Sequence, residues 1–288
     1  MRKEKSSELP FAIGIPALLW QVLFFYLPLL FIVGTSVILL AEDGSFAGLS
    51  FKSFGNFLTP VYARVIFFSL LLGISNTVIC LVIGYPLAYF LAFTGKKFKN
   101  FLLFLLIVPF WTNFLLHVYA WFFVLEREGV VNTLLMRLGV IHEPIHFLNS
   151  VFSIMIMMVY YYLPFMVLPI YSSLERFDRR LIEASLDLGA TSLETFRKIV
   201  LPLTLRGISA GFFLVYIPSF AEFAIPELMG GDKLMFVGNA ISHYILGEGT
   251  GSLGASFTVI SCTVLLLTAG GFYLLLNRLL TPKQRCDG

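Results

Sequence analysis

Charged residues are scarce in this chain of 288 residues. Asp, Glu, Lys and Arg make up 13% of it, whereas a typical soluble domain has about 25%. Hydrophobic residues make up 58%. So little charge excludes an ordinary water-soluble domain and predicts a membrane protein. The formal net charge of +3 is too small to indicate nucleic acid as a partner.

Cysteine is nearly absent as well. Cys80 and Cys262 lie in apolar runs and Cys286 lies in the tail, without C-x-x-C or a similar spacing. This pattern excludes a disulfide framework and a cysteine-based metal site. His142 and His146 lack a third ligand, so we expect them to be solvated loop residues rather than metal ligands.

The nucleotide-binding loop G-x-x-x-x-G-K-[ST] is missing from the sequence. The chain is therefore not expected to be an ATPase. If ATP drives its activity, the nucleotide binds to another subunit.

One enzyme motif is present, because Gly207, Ser209 and Gly211 match the G-x-S-x-G pattern of serine hydrolases. With His117 it raises one alternative, an intramembrane serine protease. His117 lies about 16 residues into its apolar run and Ser209 begins another, which places them roughly 20 Å apart in depth. The small residues at 207 and 209–211 are better interpreted as a close contact between helices.

Long apolar runs are abundant. Six are long enough to cross a hydrocarbon core, which takes about 20 apolar residues, and they cover approximately 11–40, 65–93, 101–124, 151–171, 207–229 and 253–277. The first is too long for a signal-peptide core and has no evident cleavage site, so we expect it to be retained. The sequence predicts an all-α polytopic membrane protein with six transmembrane helices and one domain over 1–288.

Lys and Arg are divided unequally between alternate connections. One side has 15 of them, at positions 2, 3, 5, 96, 97, 99, 176, 179, 180, 197, 198, 206, 278, 283 and 285, and the other has five, at positions 52, 64, 127, 137 and 233. By the positive-inside rule, both termini and the polar loop at about 175–205 are cytoplasmic.

Several runs have interruptions. Asn76 is a lone amide in the second run and is expected to find a partner on a neighbouring helix. Pro109 predicts a kink in the third run. The fifth run contains Pro218, Pro226 and the charged Glu222, a pattern typical of broken helices that are buried in protein or line a cavity.

The polar loop predicts a helix, a sharp turn and a second helix. Asp178 can cap the first helix. Its expected inner face contains Leu181, Ala184, Ser185 and Leu188, with Glu183 and Asp187 opposite. Gly189 is expected to end it, and Thr191 with Glu194 forms a capping box for the second helix.

This loop resembles the cytoplasmic EAA loop of ABC importer permeases. Matching positions are Glu183, Ala184, Gly189, Ile199, Leu201 and Pro202, while Ser185 replaces the usual second alanine. The stretches VPFWTNFLLHVYAW, LPFMVLPIYSSLERFD and EFAIPELMGG further resemble permeases for the polyamines spermidine and putrescine.

The resemblance implies a type I ABC importer permease fold in the bacterial cytoplasmic (inner) membrane, with a first helix at 11–40 and a five-helix core at 65–277. It implies a second, homologous permease, two cytoplasmic ABC ATPases and a periplasmic or tethered polyamine-binding protein as partners. ATP and Mg would be bound by the ATPase, with no cofactor in this chain. The residues that would couple the loop to the ATPase are Glu183, Ala184, Ser185, Asp187, Gly189 and Ala190.

Glu222 is the candidate for contact with a cationic substrate, because it lies about 22 Å into a core of roughly 30 Å. Aromatic rings at Trp111, Tyr119, Tyr160 and Tyr216 are candidates for cation–π contacts. Glu227, Asp232 and Glu248 against Lys233 predict a negative outer entrance.

Three alternatives stay open for this region. Glu222 can instead only hydrogen-bond the broken backbone near Pro218 and Pro226. The chain can transport another small solute. It can also be an ion-coupled secondary transporter with Glu222 as the proton or sodium site, although that interpretation leaves the EAA loop unexplained.

Overall fold

The computed structural model describes residues 9–40, 46–57, 59–231, 234–247 and 251–280. Within these ranges the helices are α1 Leu9–Gln21, α2 Leu27–Val37, α3 Lys52–Gly55, α4 Pro60–Phe93, α5 Lys96–Ile107, α6 Phe114–Leu125, α7 Val130–Arg137, α8 Val151–Glu175, α9 Arg180–Asp187, α10 Ser192–Thr195, α11 Leu201–Phe220, α12 Ala224–Gly230, α13 Val237–Ser242 and α14 Gly251–Leu280. The π-helical turns are Val22–Tyr26, Phe196–Val200 and His243–Gly247, and Val108–Trp111 is a 3₁₀ turn.

In the described part of the chain, five helical segments are long and apolar enough to cross a membrane. They are Gly14–Val37, Pro60–Phe93, Val151–Glu175, Ser192–Phe220 and Gly251–Arg278. A sixth results if Lys97–Trp111 and Phe114–Arg137, which meet at 99°, form one bent span. The predicted all-α polytopic class is confirmed.

The end of the first span differs from the prediction. The helix stops at Val37 rather than at residue 40, and β1 (Ile38–Leu40) then pairs antiparallel with β2 (Phe46–Leu49). These strands are apolar segments on either side of a polar stretch, which is a hairpin pattern. The segment before Pro60 thus contains two paired strands and the short α3.

The third span is broken rather than merely kinked. Its first half ends at Ile107, and the second half starts at Phe114. Pro109 has no backbone N–H to continue the helix. Asn113 then caps the second half, because its side-chain oxygen accepts a hydrogen bond of 2.8 Å from the Leu115 N–H. The single helix predicted over 101–124 was wrong for this reason.

The chain divides into two compact units, residues 1–63 with 241–263, and residues 64–240 with 264–288. In the first unit the apolar segment Gly14–Val37 is almost wholly exposed. Ser256 Oγ donates a 3.0 Å hydrogen bond to the Ser36 carbonyl, and the Phe57 ring lies 5.0 Å from that of Phe257. The predicted single domain over 1–288 stays a prediction.

The second unit has its core between α8 and α11. A Cβ added at Gly207 would lie 2.7 Å from the Pro169 carbonyl oxygen, and one at Gly211 would lie 3.1 Å from that of Met166. Only glycine allows two helix backbones to approach this closely. Gly207 and Gly211 therefore serve helix packing, as the sequence predicted.

A buried hydrogen bond joins α4 to α11 in the same unit. Asn76 Nδ2 donates to Ser219 Oγ at 2.8 Å, and both residues are buried. The prediction that Asn76 finds its partner on a neighbouring helix is confirmed. This bond lies three residues before Glu222 along the chain.

Candidate functional site

The polar loop from Glu175 to Leu205, hereafter the coupling loop, has the predicted helix, turn and helix. Asp178 Oδ1 accepts a 3.0 Å hydrogen bond from the Arg180 N–H, where α9 begins. Gly189 has φ of +84°, a value that glycine adopts at little cost. The Ala190 N–H reaches back to the Ser185 carbonyl at 3.1 Å, which closes the end of α9.

The start of α10 has both bonds of a capping box. Thr191 Oγ1 accepts from the Glu194 N–H at 3.3 Å, and Glu194 Oε2 accepts from the Thr191 N–H at 3.0 Å. Ser185, which stands in place of an alanine, is buried and lies 2.9 Å from Thr195, hydroxyl to hydroxyl. This buried contact holds α9 against α10.

The exposed face of α9 differs from the prediction. Leu181 and Leu188 were expected to be on the inner face, but they are 46% and 89% exposed, and Ala184 is exposed as well. The helix has only eight residues, and Leu188 is the residue that caps its C-terminal end. Glu183 and Asp187 are exposed as predicted. The loop thus presents apolar and acidic side chains together.

A second candidate site lies at residues 221–223, hereafter the span-five break, where α11 ends and α12 has not yet begun. Glu222 Oε1 accepts from the Ala224 N–H at 3.1 Å and from the Ile225 N–H at 3.5 Å. Its Oε2 accepts from the Tyr162 hydroxyl at 2.6 Å. The carboxylate therefore supplies the acceptor that the first turn of α12 lacks.

These bonds match the alternative in which Glu222 hydrogen-bonds the broken backbone. They do not use the full hydrogen-bonding capacity of the carboxylate, and the side chain is only partly buried. A carboxylate can accept about four hydrogen bonds, so capacity for a further donor is left. Both interpretations of Glu222 are compatible with this geometry.

Asn239 supports the break from α13. Its Nδ2 donates to the Phe223 carbonyl at 3.2 Å and also to Glu227 Oε2. Glu227 is exposed. The other charged residues of the predicted entrance, Asp232, Lys233 and Glu248, lie outside the described residues.

The four aromatic residues predicted to make cation–π contacts differ in their exposure and in their partners. Trp111 and Tyr119 are 74% and 50% exposed. The Tyr160 hydroxyl lies 2.9 Å from His117 Nδ1. Tyr216 is fully buried, with its ring 5.4 Å from that of Phe212. Among the described residues, no hydrogen bond or ring contact joins these four aromatic residues to Glu222.

Two residues at the break were missed by the sequence analysis. Tyr162, rather than Tyr160, reaches Glu222, and it lies four residues from the buried Met158 and Met166 on the inner face of α8. Helical spacing contained that signal. Neither the spacing nor the sequence neighbours of Asn239 predicted that it contacts the residues of the break.

The chain belongs to a family of membrane transport proteins. Residues 84–285 match the family described as "Binding-protein-dependent transport system inner membrane component". The protein is therefore a multi-pass inner-membrane component of such a system, a permease rather than an enzyme. The protease suggested by G-x-S-x-G is excluded by this family and by the packing role of the two glycines.

Several relatives are named "Spermidine/putrescine transport system permease protein PotB". The one from Salmonella typhimurium (strain LT2) is 42% identical over 266 residues, which cover 92% of each chain. The one from Escherichia coli (strain K12) is 42% identical over 270 residues, 93% of this chain and 98% of the relative. That of Haemophilus influenzae is 38% identical over 271 residues, 93% of this chain and 94% of the relative. The resemblance to polyamine permeases is confirmed.

Two solved structures share the fold. One is a bacterial ABC transporter involved in the import of the acidic polysaccharide alginate, with a TM-score of 0.77 and 15% identity over 95% of this chain and 96% of that one. The other is the alginate transporter in complex with alginate pentasaccharide-bound periplasmic protein, with a TM-score of 0.73 and 16% identity over 95% of each chain. The predicted ABC importer permease fold is confirmed.

Proposed function

We propose that this chain is one of two homologous permease subunits of an ABC importer for cationic polyamines, with spermidine and putrescine as the substrates. The observation that supports this most strongly is 42% identity to permeases of that name over 92% of the chain. The solved alginate transporters are too distant in sequence to transfer their acidic substrate.

The charge at the span-five break favours a cation over an anion. Glu222 places a carboxylate in apolar sequence, where a negative charge repels phosphate, sulfate and acidic sugars and attracts an ammonium group. Its side chain is only partly buried and has room for a further donor. A polyamine contact at Glu222 is therefore part of the proposal. Trp111, Tyr119 and Tyr160 are the exposed or half-exposed rings available for cation–π contacts.

The coupling loop is the proposed docking site for the ATPase, which binds ATP and Mg. It combines the exposed Glu183 and Asp187 with the exposed Leu188, which is 89% accessible. Leu181, Leu186 and Leu193 are exposed on the same loop, and several apolar side chains exposed together are typical of a contact with another protein. Closure of two ATPase subunits would push this loop and the one in the partner permease, and the helices would then alternate between inward-open and outward-open states.

The proposed orientation places both termini and the coupling loop in the cytoplasm, and the segment between α6 and α8 outside. A periplasmic or tethered binding protein would then deliver substrate on the outer side. Reporter fusions after residues 97 and 190 should report cytoplasm, and fusions after 135 and 240 should report the outside. A cytoplasmic signal at 135 would contradict the six-span topology.

The substrate is tested with the full transporter, co-purified with its partner subunits and binding protein and reconstituted in proteoliposomes. Spermidine or putrescine should stimulate ATP hydrolysis and be taken up, whereas acetylated spermidine, which has lost one charge, should stimulate less. An alginate oligosaccharide serves as the anionic control. Stimulation by the anion and not by either amine would refute a polyamine importer and leave a permease for another solute.

A further inference from the structure

The residue that precedes α9 contacts a distant helix end. Arg179 comes directly before α9, the helix that presents Glu183. Its side chain nevertheless makes no capping hydrogen bond at the start of that helix. Its Nη2 instead donates a 2.8 Å hydrogen bond to the carbonyl oxygen of Ala92, 87 residues away. Its guanidinium carbon lies 5.0 Å from the centre of the Phe93 ring.

This contact is well placed on α4. The helix ends at Phe93, so the Ala92 carbonyl is one of the last four that have no partner inside the helix. A cation is favoured at that end of a helix by the helix dipole. The Phe93 ring adds a cation–π contact. Hydrogen bond, dipole and ring therefore all favour Arg179 at this position.

A second link lies beside the first. Lys99 Nζ, on the first turns of α5, is 2.8 Å from Glu175 Oε1 at the end of α8, and the Lys99 side chain is only 15% exposed. The same ammonium lies 5.8 Å from the Tyr171 ring centre. The turn between α4 and α5 is thus connected to the start of the coupling loop on both sides.

The far part of α4 contacts the last residues of α11, directly before the span-five break. Asn76 on α4 donates to Ser219, and a Cβ at Gly73 would lie 3.4 Å from the Phe220 backbone nitrogen. α4 is assigned as one helix from Pro60 to Phe93, with Pro86 inside it, so its end and its contacts with Ser219 and Phe220 lie on the same helix. Without the Arg179 contact, α9 can tilt while the end of α4 stays in place.

We propose that Arg179 is a positioning residue that ties α9 to the end of α4, so that movement of the coupling loop moves α4 and the span-five break. Lys99 and Glu175 support the same connection. This inference rests on the proposed coupling function of the loop. Arg179 is exposed, and an exposed polar contact contributes little to stability, so its removal should affect transmission rather than folding.

The test measures spermidine taken up per ATP hydrolysed by the reconstituted transporter. Arg179→Gln should lower this ratio about fivefold or more, the range typical of coupling between sites, with the ATPase still bound. Arg179→Lys keeps the charge but not the planar fork, and should recover part of the ratio. Arg127→Gln is the control for loss of an exposed arginine, because Arg127 lies outside the coupling loop and none of the contacts described in the structure joins its side chain to α4.

A variant of Phe93 tests the contribution of the aromatic ring to this contact. Phe93→Leu keeps an apolar side chain but removes the ring, and should lower the ratio less than Arg179→Gln does. This variant decides the question if Arg179→Gln does not assemble: a normal ratio in both Phe93→Leu and Arg179→Lys would refute the link. A normal ratio in an assembled Arg179→Gln transporter would refute it directly.

Glu183→Lys distinguishes failure of this inference from failure of the proposed coupling. If Glu183→Lys abolishes uptake while Arg179→Gln is normal, the loop couples but Arg179 does not transmit. If Glu183→Lys and Gly189→Val both transport normally with the ATPase bound, the coupling function of the loop is wrong, and the inference fails with it.

Discussion

The coupling loop and the span-five break each end one helix and start another within a few residues, but their bonds come from different distances along the chain. In the loop, Thr191 and Glu194 bond each other across three residues. At the break, Glu222 is held by Tyr162, which is 60 residues away. The turn between α9 and α10 is closed by bonds within the loop, whereas the break is held by helices from elsewhere in the chain in addition to the local bonds of Glu222 with the Ala224 and Ile225 N–H groups.

This difference fits the two proposed roles. A loop that contains its own caps keeps its shape when a partner pushes it, and α9 and α10 can move together through the Ser185–Thr195 contact. A break held by α8 and α13 changes when those helices move, because its hydrogen-bond donors move with them. The first is suited to receive a force and the second to respond to one.

The largest effect is expected at the turn of the loop. Gly189→Val forces a branched side chain into φ of +84°, a strain of roughly 1 to 2 kcal/mol, which tilts α9. Uptake should fall to background while membrane insertion survives. Glu183→Lys should do the same by reversing charge at the docking face. Uptake and ATPase binding are measured in membrane vesicles.

Gly139 offers a matched control for backbone strain. It also has positive φ, +69°, and open space around its Cα, but it lies at the end of α7. Gly139→Val should therefore cost similar strain and leave uptake largely intact. If Gly189→Val and Glu183→Lys both transport normally with the ATPase bound, the loop does not couple.

An intermediate effect is expected at the break. Glu222→Gln keeps the shape and an acceptor oxygen for α12 but removes the charge, so polyamine uptake should drop several-fold with assembly intact. Tyr162→Phe keeps the charge and removes one hydrogen-bond donor. It should therefore lower the free energy of unfolding by about 1.5 to 3 kcal/mol and leave the KM for polyamine unchanged. Unchanged uptake kinetics in Glu222→Gln would leave Glu222 with only its backbone role.

The smallest effect is expected at the buried contact within the loop. Ser185→Ala removes the hydrogen bond between the Ser185 and Thr195 hydroxyls, which lowers the free energy of unfolding by about 1 kcal/mol. It also restores the alanine usual in the EAA pattern. Uptake should stay within about twofold of the unchanged protein. Ser185→Leu should instead separate α9 from α10 and abolish coupling. A large loss in Ser185→Ala would show that the hydroxyl pair, rather than close packing, holds the two helices together.

The coupling loop and the span-five break also differ in how much of their structure the sequence could predict. The caps at Asp178 and Thr191 were predictable, because both partners of each bond lie within three residues. The exposure of Leu188 was not, since helical periodicity assumed a longer helix than the eight residues of α9. The break was predicted from its prolines, but the choice of Tyr162 as partner depends on how α8 packs against α11. Likewise Pro109 predicted a bend, and its 99° size depends on tertiary contacts.

The broken third span has a consequence for how the protein enters the membrane. α5 and α6 have 12 residues each, about 18 Å of helix, against a hydrocarbon core of roughly 30 Å. Neither half can cross alone. His117 on α6 contacts the 3₁₀ turn between the two halves and also the next span, with Nε2 3.0 Å from the Pro109 carbonyl and Nδ1 2.9 Å from the Tyr160 hydroxyl on α8. Because Tyr160 is synthesised 43 residues after His117, the third span reaches its final bonding only after this part of the fourth span has been synthesised.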